Sequence, residues 1–122
     1  NLAMYPQVRL AVWPRRLVYA HIADWTLYLL GYEFLFRGFL LATCLTVMGP
    51  WTAIVVNIAM YSLSHLPKGM KEALGAIPLG IVVCVATLQT GAIWVAFVIH
   101  LILAVANFLS SLAAHPDMRV EK

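Results

Sequence analysis

Four apolar runs, residues 25–47, 51–66, 73–89 and 92–113, alternate with short breakers along the chain. The breakers are Met48-Gly49-Pro50, Leu66-Pro67-Lys68-Gly69, Thr90-Gly91 and Ala114-His115-Pro116-Asp117. Pro lacks a backbone donor and Gly loses the most freedom on ordering, so both punctuate helices. The runs are far longer than the about 10 residues of a barrel strand and do not alternate. Each therefore predicts a helix. A membrane crossing takes about 20 apolar residues. The first and last runs meet that length, the middle two are short, and Pro78 predicts a kink in the third. The expectation is an all-α, multi-pass transmembrane helical bundle of about four spans. It is read as one domain over residues 1–122, with an interfacial lead-in at 1–24, a helical core at 25–113 and a tail at 114–122. Asp24 is the expected N-cap of the first span, and Trp25 suits the headgroup level.

Composition agrees. The chain is 63% hydrophobic and 11% charged, with a mean hydropathy of +0.89. A soluble domain carries about 25% charged residues, so this chain lacks the surface of a small water-soluble globule. The same values exclude disorder. The net charge of +3 is spread along the chain rather than gathered in a stripe, which argues against nucleic acid as a partner. Cys44 and Cys84 lie in apolar runs and read as small buried hydrophobes. The sequence opens without Met or a signal-peptide pattern, so further upstream sequence is expected.

Lys and Arg alternate with the spans. Three precede the first (Arg9, Arg15, Arg16), none lies in the first loop, two lie in the second (Lys68, Lys71), none in the third, and two in the tail (Arg119, Lys122). Positive charge stays on the cytoplasmic side. Both ends and the Lys68/Lys71 loop are therefore expected in the cytoplasm, and the location is expected to be a bacterial inner (plasma) membrane.

Charges inside the spans carry the chemistry. Glu33 and Arg37 lie four residues apart in the first run, on one helix face where they can pair. Intramembrane ionisable groups face a bundle interior or a water-filled cavity. Tyr61 and His65 share the same spacing in the second run, and His100 sits deep in the fourth with Asn107 seven residues on. Asn57 is expected to make an interhelical hydrogen bond. At 1.5 Å per residue, Glu33 lies about 12 Å and His100 about 15 Å from the cytoplasmic side, so the two can share a level. One carboxylate and two imidazoles in a dry pocket can activate water and stabilise an oxyanion. Zinc or haem ligation uses the same residue types, but ligand pairs at metal-site spacing are missing, so no metal or cofactor is expected.

Glu33-Phe34-Leu35-Phe36-Arg37-Gly38-Phe39-Leu40-Leu41 resembles the first motif of the CPBP family, the CAAX protease and bacteriocin-processing (Abi-like) group of glutamic-type intramembrane endopeptidases. Tyr61 and His65 match its second motif. Thr90-Gly91-Ala92-Ile93-Trp94 followed by His100 matches its third. The resemblance covers residues 25 to 109. It implies water activation by Glu33 with His65, an oxyanion donor at His100, and Arg37 holding Glu33. It also implies a membrane-associated protein or peptide as substrate. Two positions depart from the pattern. Tyr32 stands where the family has the first of two glutamates, and Ala104 stands four residues after His100 where a polar residue is usual, the nearest Asn being Asn107. His65-Leu66-Pro67-Lys68-Gly69-Met70-Lys71-Glu72 is similar to a stretch found in a branch with Tyr-Glu in its first motif, which makes Glu72 an accessory candidate. As a first-turn helix residue Glu72 is also favoured by the helix dipole alone. Tyr32 and Ala104 motivate the alternative of a catalytically silent pseudoprotease that binds or scaffolds membrane partners.

Overall fold

The computed structural model describes residues 5–121. A continuous helical run is built from α1 (Arg15–Glu33), a π-helical segment (Phe34–Leu41) and α2 (Ala42–Val47). It is followed by α3 (Pro50–Ser64), a 3-10 turn (Leu66–Lys68), α4 (Met70–Thr90) and α5 (Trp94–Ala114). Two short strands, β1 (Val12–Trp13) and β2 (Arg119–Val120), pair in parallel. The fold is all-α, as expected.

Local chemistry sets the boundaries. Pro50 opens α3 at its first position, where a missing N–H costs nothing. Gly91, at φ 65, closes α4 in the left-handed conformation and donates its N–H to the Thr87 carbonyl at 2.9 Å. α4 is a single helix across Pro78. Two boundaries differ from expectation. The helix starts at Arg15 rather than near Trp25, so Asp24 lies inside it and does not cap it. The third run, expected to be short, extends back to Met70 and forms a helix of 21 residues, whereas the second is short as expected, at 15 residues, about 22 Å at 1.5 Å per residue. Among the described residues, three helical runs are long and apolar enough to cross a membrane: Arg15–Val47, Met70–Thr90 and Trp94–Ala114.

The chain divides into two compact units. One comprises residues 1–29 and 100–122, the other residues 30–99. In the first, Trp13, Phe108 and Leu112 form the core. His21 packs there against Phe108, with ring centroids 4.5 Å apart, and accepts a hydrogen bond from Trp25 Nε1 at 3.0 Å. In the second unit, Leu41, Cys44, Ala53, Ile54 and Cys84 form one cluster. Phe36, Tyr61 and Ala76 form another. Polarity is inverted relative to a soluble protein. Glu33, Arg37 and Asn57 are buried while Leu27, Val47 and Trp51 are more than 70% exposed. An apolar exterior around buried charge is the pattern a lipid solvent demands.

Candidate active site

The site in the second unit is organised where α1 passes into the π segment. Glu33 is the last residue of α1, and Arg37 lies within the π turn. Single stretches of π-helix inside α-helices mark functional sites often. Arg37 Nη1 lies 3.2 Å from Glu33 Oε1 and 3.1 Å from Oε2, and both side chains are sealed from solvent. The guanidinium carbon stacks over the Tyr61 ring, 4.2 Å from its centroid. That stacking supports a buried cation electrostatically without using its N–H groups. Arg37 Nε and Nη2 have no hydrogen-bond partner among the described residues.

Asn57, one turn before Tyr61 on α3, fastens the π segment. Its Nδ2 donates to the Phe36 carbonyl at 2.6 Å, and its Oδ1 accepts from Cys84 Sγ at 3.1 Å. The interhelical bond expected of Asn57 is therefore present. Cys84 is buried as the sequence suggested, but it also works as a donor, which an apolar run does not announce.

His65 caps α3 and is half-buried. Its ring lies 4.6 Å from that of Tyr61 and 6.2 Å from that of Tyr32, centroid to centroid. His65 Nδ1 is 2.9 Å from the Tyr61 carbonyl. Tyr32, beside Glu33 in sequence, packs on Phe36 and Tyr61 and hydrogen-bonds Ser64 Oγ through its hydroxyl. The sequence alone does not point to Ser64. A lone Ser at a helix end is too common a signal to notice.

Glu72 lies in the first turn of α4, half-buried. Burial pushes the Lys68 amine below the ordinary lysine value, and the Glu72 carboxylate partly holds it up. His100 and Asn107 belong to the other unit, on α5, where His100 is half-buried, Ala104 is half-buried and Asn107 is exposed. The structure thus brings Glu33, Arg37, Tyr32, Tyr61 and His65 into one linked set within a single unit.

Helices long and apolar enough to cross a membrane, with a buried polar cluster among them, define an integral membrane protein. The chain belongs to the Rce1-like family, described as type II CAAX prenyl endopeptidase Rce1-like, whose family model matches residues 14–106. This is a family of membrane proteases, and the match bears out the resemblance seen in the three motifs. No curated protein sequence and no solved structure gives a match.

Proposed function

We propose that this protein is an intramembrane endopeptidase that hydrolyses a membrane-associated protein or peptide with water activated by Glu33 and His65. The observation that carries this reading is the sealed Glu33–Arg37 pair, with the Tyr61 ring under the guanidinium and the His65 ring packed at a tilt against Tyr61. A carboxylate accepts at about four lone-pair positions. Glu33 therefore keeps acceptor capacity for a water proton while Arg37 fixes its direction. The activated water adds to the scissile carbonyl, the tetrahedral oxyanion takes a hydrogen bond, and the abstracted proton passes to the leaving amine. His100 is assigned the oxyanion role on its motif, with Asn107 as accessory. Glu72 is an accessory acid near the Lys68 loop. The substrate class follows the family description: a membrane-associated chain, with prenylated C-terminal peptides as the first probe. The positive-inside rule supports a cytoplasmic side for both ends and the Lys68/Lys71 loop, an assignment that makes α3 a fourth, short crossing, and the membrane is taken to be a bacterial plasma membrane.

The test uses the full chain in detergent micelles with a quenched fluorogenic peptide. One form carries a farnesylated cysteine four residues from its C-terminus and the other does not. Glu33→Gln and His65→Ala are each expected to lower turnover by about 10² to 10⁴, the range typical of a lost acid–base group, and His100→Ala by about 10² to 10³, the range typical of a lost oxyanion donor. Equal turnover by wild type and Glu33→Gln removes Glu33 from the mechanism. A second reading, a silent protease fold that binds partner helices, is favoured by one observation: Tyr32 holds the position of the missing glutamate and is hydrogen-bonded to Ser64. Its signature is a wild type that cleaves neither peptide while Tyr32→Glu does.

A further inference from the structure

The C-terminal turn of α3 carries a set of hydrogen bonds whose donor directions are fixed by one atom. α3 ends at Ser64, which puts the Tyr61 carbonyl in its last turn. The His65 backbone N–H donates to the Ser62 carbonyl at 3.0 Å. The Tyr61 oxygen meets Ser64 Oγ at 2.6 Å and His65 Nδ1 at 2.9 Å. A carbonyl only accepts, so the Ser64 hydroxyl and the His65 Nδ1–H both donate to it. The single Ser64 proton is thereby spent. In the Tyr32–Ser64 hydrogen bond Tyr32 must then be the donor. Ser64 Oγ also stands 3.4 Å from His65 Nδ1, where it offers only a lone pair to an N–H. Every group in the set agrees on one arrangement. A neutral His65 carries its proton on Nδ1, and Nε2 keeps the lone pair.

We propose that Tyr32 and Ser64 are positioning residues for His65. The chain Tyr32 O–H to Ser64 O–H to Tyr61 carbonyl, shared with His65 Nδ1–H, ties the end of α1 to the last turn of α3. It holds the imidazole with Nε2 as its proton-accepting nitrogen. Tyr32 therefore does not stand in for the missing glutamate as a base, because its proton is committed outward to Ser64. The role of His65 in turnover rests on the function proposed above, whereas the tautomer does not.

The experiment has two arms, both on the full chain in micelles. In the first, long-range proton–nitrogen NMR on ¹⁵N-histidine-labelled protein reads the His65 tautomer, with His65→Gln assigning the signal. The expected result is protonated Nδ1 and unprotonated Nε2 at mildly alkaline pH. Tyr32→Phe, which keeps the ring, and Ser64→Ala are each expected to move the signals toward a tautomer mixture, and the double variant no further than the larger single shift. In the second arm, the fluorogenic peptide is turned over by the same variants. Each is expected to lose about tenfold in kcat with KM unchanged, and the double variant to lose no more, as members of one chain do. A His65 protonated on Nε2 in the wild type overturns the proposal whatever the kinetics. Tyr32→Phe as inactive as Glu33→Gln also overturns it, because Tyr32 then acts on the reacting atoms. An Nδ1-protonated His65 with His65→Ala fully active leaves the clamp standing and defeats the function proposed for His65 instead.

Discussion

Arg37 lies one helical turn beyond Glu33 and presents a single nitrogen to both carboxylate oxygens, at 3.2 and 3.1 Å, with neither side chain reaching solvent. Desolvating two charges costs more than their attraction returns unless further groups help. Here the Tyr61 ring supplies that help from below the guanidinium. Removing one partner leaves an uncompensated charge, which costs about 3–5 kcal/mol. Arg37→Met is therefore expected to lower unfolding stability in micelles by about that amount. Glu33→Gln combined with Arg37→Met is expected to recover at least half of the loss. Chemical denaturation followed by tryptophan fluorescence measures both. An Arg37→Met protein as stable as wild type would show that the pair contributes no net stability.

Asn57 bridges three elements with one amide, donating to Phe36 in the π segment and accepting from Cys84 on α4. Asn57→Leu leaves the Phe36 carbonyl and the Cys84 thiol without that partner, at a cost of about 1–3 kcal/mol. Asn57→Asp is expected to be worse. An ionised carboxylate accepts only, and would meet the Phe36 carbonyl lone pair to lone pair. Cys84→Ser, which keeps a donor at the same place, is expected to stay within about 1 kcal/mol of wild type. The order of the three unfolding midpoints is the measurement. Asp outlasting Leu would contradict the donor role.

The sequence made the helices legible because lipid demands long apolar runs, and Gly and Pro end them visibly. It also exposed Glu33, Arg37, His65 and His100, since ionisable groups among apolar neighbours stand out. Three features stayed hidden for physical reasons. The helix starts at Arg15 because a cationic first turn continues into Leu17 and Val18 with no breaker after Pro14, while the hydropathy rises only near Trp25. The π segment has no composition signature, as it differs from α-helix only in which carbonyl each N–H meets. Ser64 and Cys84 matter through single hydrogen bonds whose partners are set by packing.

Lys68 gives the expected pH response. Burial disfavours its charged form and Glu72 favours it, with burial the larger effect, so its folded-state pKa lies below the ordinary lysine value. Below the folded pKa the amine is charged in both states, and the folded state carries the full penalty. The penalty fades as pH rises from the folded pKa toward the unfolded one, so stability due to Lys68 rises across that alkaline window. Lys68→Met is expected to abolish this rise. Glu72→Gln is expected to move its onset to lower pH by removing the opposing attraction. The difference between wild-type and variant unfolding midpoints across alkaline pH isolates the effect. An onset that moves upward in Glu72→Gln would reverse the assigned sign.

Two glycines of α4 separate packing from helix propensity. Both sit in the helix interior, where replacing Gly by Ala gains roughly 0.5–1 kcal/mol if nothing intervenes. A Cβ at Gly75 meets nothing within 4 Å, and Gly75→Ala is expected to show that gain with peptidase turnover unchanged. A Cβ at Gly80 would stand 3.3 Å from Tyr61 Cδ1 and 3.4 Å from Ile58 Cγ1. The Tyr61 ring has little room to give way, being fully buried, stacked under Arg37 and packed against His65. Overpacking of this kind costs about 1–3 kcal/mol, enough to cancel or reverse the propensity gain. Gly80→Ala is therefore expected to be no more stable than wild type. It is also expected to lose turnover, because the ring it pushes supports both Arg37 and His65. Parallel unfolding and fluorogenic assays on the two variants decide the matter. A Gly80→Ala protein that matches Gly75→Ala in stability and wild type in turnover would mean that Tyr61 can shift freely, and that its contacts with Arg37 and His65 do not hold the site in place.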